Sequence, residues 1–171
     1  MEQAESMAGV AQRDFEGLLE RHRAIVFKVA NTYCRHTDDR ADLVQEIAAQ
    51  LWRAWPDYDP ARPFTTWMYR IALNVAISHV RADSQRQHRD VPLDEELHEM
   101  ADASAADHED DERLRLLQAF IARQSPLDRA ILLLYLDERS QREIGEIVGL
   151  TETNVSTKIG RLKQRLRTDL S

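Results

Sequence analysis

SQREIGEIVGLTETNVSTKIGRLKQRL, Ser140 to Leu166, spells out two short helices and the turn between them. Ser140 with Glu143 makes an S-x-x-E capping box, which takes up free amide donors at a helix start. Ile144, Ile147 and Val148 then share one helical face, and Gly149 is placed to adopt the left-handed conformation that closes a helix. Leu150 folds back onto the core, and Thr151 is a candidate N-cap for a second helix. There Val155, Ile159, Leu162 and Leu166 recur at steps of four, three and four, the spacing of one buried stripe. Gly145 stands where a close helix crossing calls for a small side chain, at a cost of about 1 kcal/mol relative to alanine. The pattern is a helix-turn-helix.

The second helix of such a motif lays its first turns in the major groove of DNA. Thr153, Asn154, Ser156, Thr157, Lys158 and Arg161 lie on its outward side and are able to hydrogen-bond to bases or phosphates, and Lys163, Arg165 and Arg167 continue a basic ridge. Within this set Ser156, Thr157 and Arg161 suit base recognition, Lys158 assists, and Arg142, Lys163 and Arg165 suit phosphate contacts. The plain alternative is a solvated hairpin with ordinary surface charge. The cap, the glycine turn and the ridge together favour DNA.

A net charge of -7 over 171 residues looks wrong for such a protein until it is divided along the chain. Residues 1 to 87 hold 11 basic and 12 acidic groups, residues 88 to 112 hold 1 and 11, and residues 113 to 171 hold 11 and 7. The acidity is concentrated in one stretch, and the segment with the helix-turn-helix carries a net +4. With 31% charged residues, five glycines and five prolines, the composition is that of a soluble, mostly helical protein. No apolar run reaches the roughly 18 residues of a membrane span, and MEQAESMAGVAQRD lacks the regions of a signal peptide, so a cytoplasmic location is expected. Cys34 is alone and cannot form an internal disulfide. No metal-ligand spacing, glycine-rich phosphate loop or nucleophile arrangement is present, so no cofactor, no metal and no enzymatic chemistry is expected.

From the N-terminus, a polar lead-in over 1–14 precedes an amphipathic helix marked by Phe15, Leu18, Leu19, His22, Ile25, Val26, Val29 and Tyr33. Val44, Ile47, Ala48, Leu51 and Trp55 predict the buried stripe of the next helix, ended by Pro56, with Asp42, Gln45, Glu46 and Arg53 on its charged side. PDYDPARP reads as a fixed connector, after which Thr65 or Thr66 caps a long helix to about Asp83. Along that helix Trp67, Arg70, Asn74, Ser78, Arg81 and Gln85 form one narrow polar line headed by an aromatic ring. Stacking on unpaired bases beside amide and basic groups is how proteins hold single-stranded nucleic acid, although a tryptophan at a helix start also serves as a core anchor. Residues 88–112 lack a sustained apolar period and read as a flexible acidic linker. Helical pattern resumes with Leu114, Leu117, Phe120 and Ile121, and Ser125-Pro126 opens a further helix whose Leu127, Ile131, Leu134 and Tyr135 face inward.

Taken together, DRADLVQEIAAQLWRAW (Asp39 to Trp55), PFTTWMYRIALNVAISHVR (Pro63 to Arg81) and the C-terminal helix-turn-helix resemble a bacterial RNA polymerase sigma factor of the extracytoplasmic-function group. The resemblance implies an all-α chain of two small helical domains: region 2 over 15–87, the acidic linker over 88–112, and region 4 over 113–171. It implies core-polymerase binding through the clamp helices of the largest subunit by Asp42, Leu43, Gln45, Glu46 and Trp52, and a flap contact by region 4. It implies recognition and melting of the minus-ten element by Phe64, Thr65, Trp67, Arg70, Asn74 and Arg81. The minus-thirty-five element falls to Arg142, Thr153, Asn154, Ser156, Thr157, Lys158, Arg161, Lys163 and Arg165. Promoter DNA, core polymerase and an anti-sigma factor are the partners implied. Met68 follows Trp67 where housekeeping relatives pair two tryptophans, which implies weaker melting, and Ser78 departs from the aspartate of many relatives. The alternative is a stand-alone helix-turn-helix regulator with a sensory N-terminal half, which has no need of the Asp42, Gln45, Glu46 face.

Overall fold

The computed structural model describes residues 2–87 and 108–171, and the side chains of 11–86 and 109–171 within them. The described residues are helical, joined by turns, in the order α1 (Glu2–Arg21), α2 (Arg23–Tyr33), α3 (Thr37–Ala54), a 3-10 turn (Trp55–Asp57), α4 (Phe64–Gln87), α5 (His108–Ala122), α6 (Pro126–Leu136), α7 (Gln141–Val148) and α8 (Glu152–Asp169). The chain divides into two compact units, Met1–Ile77 and Ser78–Ser171. The division falls inside α4.

In the first unit α2 packs on α3. Leu43, Ile47 and Leu51 of α3 are fully buried, as are Val29 and Ala30 of α2 and Met68, Tyr69, Ala72 and Ala76 of α4. Ile47 and Leu51 are buried as expected, Leu43 joins them in the core, and Val44, Ala48 and Trp55 stand at its edge. Asp38 and Asp39 in the first turn of α3 favour the positive end of its dipole. Pro56, which has no amide hydrogen to donate, lies in the 3-10 turn that ends the helix.

Three expectations about helix limits are corrected. Residues 1–14 are not a bare lead-in, since α1 runs from Glu2. The single helix expected through Cys34 breaks at His22, whose φ of -115° and ψ of 16° leave the α region. No glycine or proline marks that break; the His22 ring lies 5.4 Å from Phe64, which holds the residue toward the core edge. The helix α4 starts at Phe64, so Thr65 and Thr66 lie inside its first turn and do not cap it.

The second unit is built on caps that are local in sequence. Ser125 Oγ accepts from Asp128 N with Pro126 in the first helical position, and Ser140 Oγ accepts from Glu143 N at 3.1 Å. Thr151 Oγ1 accepts from Asn154 N at 3.1 Å. Gly149 takes φ 78°, and the amides of Gly149 and Leu150 both donate to Gly145 O. The reason for Gly145 is this turn more than a helix crossing: a Cβ there would stand 2.6 Å from Leu150 O. α6, α7 and α8 pack together on Ala130, Ile131, Leu134, Ile144, Ile147, Val155, Ile159 and Leu162, with Phe120 of α5 also buried. Leu114 is exposed, contrary to the inward position expected, and so is Tyr135. Residues 88–107 of the expected linker lie outside the described residues, and 108–112 belong to α5.

Candidate nucleic-acid interface

On α3 the residues opposite Leu43, Ile47 and Leu51 are Asp42, Gln45, Glu46, Ala49, Trp52 and Arg53, and all six are exposed. Their spacing of three or four places them on one strip about 12 residues of helix long, roughly 17 Å. Trp52 is 46% exposed, with its ring 5.2 Å from Phe15 at 57°, so one edge is held and the other is open. Leu43 does not belong to this strip. Its side chain is wholly buried and packs in the core. Ala49, which sequence reasoning passed over, gives the strip a flat centre.

At the head of α4 the aromatic residues form a cluster. Phe64 lies 5.4 Å from Trp67 and 5.6 Å from Tyr58, Trp55 stacks on Tyr58 at 5.2 Å, and Tyr58 meets Trp67 at 5.1 Å. The Trp55 indole Nε1–H donates to Ala11 O at 3.2 Å, joining α1 to the cluster. Phe64, expected at the DNA, is buried to 8% exposure and forms the floor of the cluster. Trp67 and Thr65 are half-buried, and the Trp67 ring is held on three sides by Trp55, Tyr58 and Phe64. Rings so packed are worth about 0.5–1.5 kcal/mol per pair beyond their burial. Further along, Arg70, Asn74, Ser78, Arg81 and Gln85 are all exposed, and the buried Met68, Leu73 and Ala76 occupy the other side of the helix. Sequence spacing marks that line; the ring partners Trp55 and Tyr58 are hidden from it because they come from outside α4.

The helix α8 exposes Thr153, Asn154, Ser156, Thr157, Gly160, Arg161, Gln164 and Arg165, while Val155, Ile159 and Leu162 are buried. Thr157 Oγ1 donates to the Thr153 backbone carbonyl at 3.0 Å, which keeps the Thr157 side chain against the helix. Lys158 stands apart from the others. Half-buried, its Nζ lies 3.3 Å from Asp128 Oδ1 in the first turn of α6, so it clamps α8 to α6. Lys163 Nζ sits 4.7 Å from the centre of the exposed Tyr135 ring, and Arg165 Nη1 donates to Gln124 Oε1 at 3.5 Å. These two lie on opposite flanks of the outward line. Arg142, on α7, is exposed and 3.6 Å from Glu146. Among the described residues no group of histidine, cysteine, aspartate or glutamate is arranged to hold a metal ion.

Residues 18–86 match the model of Sigma-70 region 2, and residues 114–166 match that of Sigma-70 region 4. The chain belongs to the sigma-70 family of RNA polymerase sigma factors, with the two-region layout of the extracytoplasmic-function group. It is 29% identical over 163 residues to the RNA polymerase sigma factor CnrH of Cupriavidus metallidurans, covering 91% of this chain and 85% of that protein. It is 26% identical over 172 residues to the ECF RNA polymerase sigma factor SigW of Bacillus subtilis, covering 93% and 90%. The structure of CnrH in complex with the cytosolic domain of CnrY superposes with a TM-score of 0.63 at 25% identity over 95% of this chain and 93% of that chain. No described helix is long and apolar enough to cross a membrane.

Proposed function

We propose that this chain binds core RNA polymerase through the exposed strip of α3, holds the opened minus-ten element along α4, and reads the minus-thirty-five element with α8. The observation that carries the reading is the outward face of α8. Thr153, Thr157 and Arg161 stand exposed opposite a fully buried stripe, on a helix started by a threonine cap and a left-handed glycine turn. A recognition helix needs such a rigid support and such a set of donors and acceptors. Arg161 serves base readout, Arg142, Lys163 and Arg165 serve the phosphates, and Lys158 sets the angle of the helix. On α3, Asp42, Gln45, Glu46 and Trp52 make the polymerase contact. On α4, Arg70, Asn74 and Arg81 track the strand while Trp67, fixed by its cluster and half exposed, takes an unpaired base against its ring.

The stand-alone regulator leaves the exposed strip of α3 and the match of residues 18–86 to region 2 without a purpose. CnrH is known bound to the cytosolic domain of a second protein, and a protein partner that covers the polymerase-binding strip is proposed for this chain too. The test is co-elution of the purified protein with bacterial core polymerase and mapping of transcript starts on genomic fragments. Wild type is expected to give discrete starts. The double variant Gln45→Ala, Glu46→Ala is expected to lose co-elution while keeping its melting temperature, since both residues are exposed. Tight duplex binding with no effect on polymerase would overturn the reading.

A further inference from the structure

Gly160 lies in the middle of α8, exposed, in ordinary helical backbone, and a Cβ built on it meets nothing within 4 Å. Its own fold gives no reason for it. A helix interior pays for glycine in backbone entropy, and neither a turn nor a neighbouring atom requires one here. The other two glycines of the helix-turn-helix have internal reasons, Gly145 under Leu150 O and Gly149 at its positive φ. Thr153, Thr157, Gly160 and Gln164 follow one another at steps of four, three and four, so the glycine interrupts the outward line midway, next to Arg161.

Resting on the reading of α8 as the recognition helix, we infer that Gly160 is the point of closest approach between this helix and duplex DNA, where a Cβ would meet the groove edge. The small residues Thr153 and Thr157 before it let the helix settle deep. Bare backbone at 160 then brings Thr157 and Arg161 within reach of base edges that a bulkier face would hold away. Gly17 of α1, in the first unit, is equally open and stands outside the helix-turn-helix, and it serves as the control.

The test compares Gly160→Ala, Gly160→Val, Gly17→Ala and Arg161→Ala in holoenzyme made with core polymerase, on a duplex selected from a randomised pool by the wild-type holoenzyme. Thermal unfolding of the free protein is recorded alongside. Gly160→Ala is expected to raise the melting temperature, as Gly17→Ala does, and yet weaken duplex binding by about tenfold, with Gly160→Val weaker again. Unchanged or tighter binding by Gly160→Ala, with Arg161→Ala impaired, overturns the inference and leaves the recognition helix standing. A fall in melting temperature for Gly160→Ala also overturns it, because the glycine would then serve the fold. If neither Gly160→Ala nor Arg161→Ala alters binding, the assignment of α8 itself falls.

Discussion

Gly145 and Gly149 shape the same turn by different means. Gly149 supplies a positive φ, whereas Gly145 supplies room: the carbonyl of Leu150 closes over it, and both following amides donate to its own carbonyl. Gly145→Ala is expected to cost about 2 kcal/mol in urea unfolding of the second unit, the overpacking penalty outweighing the gain in helix propensity. A stability equal to wild type would mean that the Leu150 carbonyl moves aside at no cost. Gly149 was legible in sequence, because a cap, a glycine and a resumed apolar period lie within one stretch, whereas Gly145 was legible only as a place for a small side chain, since the carbonyl that demands it belongs to the turn and not to a crossing helix. Lys158 was not. Its partner Asp128 is 30 residues away in sequence, and nothing in the local pattern distinguishes a lysine clamped between helices from one facing a groove. The burial of Phe64 was equally hidden, since rings that cover it come from His22, Trp55 and Tyr58, outside its own helix.

At the scale of the helix, α4 separates two roles along its length. Its first turn is locked into an aromatic cluster, and the line from Arg70 onward is open. Trp67→Ala is expected to destabilise the first unit by about 2 kcal/mol, less than a fully buried tryptophan because the ring is half exposed. The double variant Arg70→Ala, Asn74→Ala is expected to stay within about 0.5 kcal/mol of wild type while lowering open-complex formation, followed by permanganate footprinting of unpaired thymines. Equal loss of stability in both variants would make the polar line structural. Helix identity was legible from apolar period everywhere but in the polar first turns of α1. Helix ends were less so: the break at His22 carries no glycine or proline, and the start of α5 at His108 falls in a run of acidic residues whose apolar period has not yet begun.

Across the whole molecule the charge is divided so that the helix-turn-helix half is basic while the chain is acidic. Binding of that half to DNA therefore depends on salt through the phosphates it neutralises. Replacing Arg142, Lys163 and Arg165 together by glutamine is expected to lower the slope of log affinity against log salt by about three for the holoenzyme, with little change in which duplex is preferred. An unaltered slope would place these three cations away from the phosphates. The domain plan was legible from composition, since the acid-rich stretch parts two segments of helical period. The division by contacts inside α4 was not, because no residue near Ile77 breaks the helix.

The three tryptophans of the chain, Trp52, Trp55 and Trp67, all lie in the first unit, and all touch the cluster of rings around Phe15, Tyr58 and Phe64. The second unit carries tyrosine but no indole. Excited at the red edge of its absorption, the intact protein thus emits light from one half alone. Emission wavelength and quenching follow the head of α4 as it meets polymerase or an unpaired strand, while ellipticity follows both halves at once. The chain comes with its own label, placed at the segment proposed to open the duplex and silent about the segment proposed to read it.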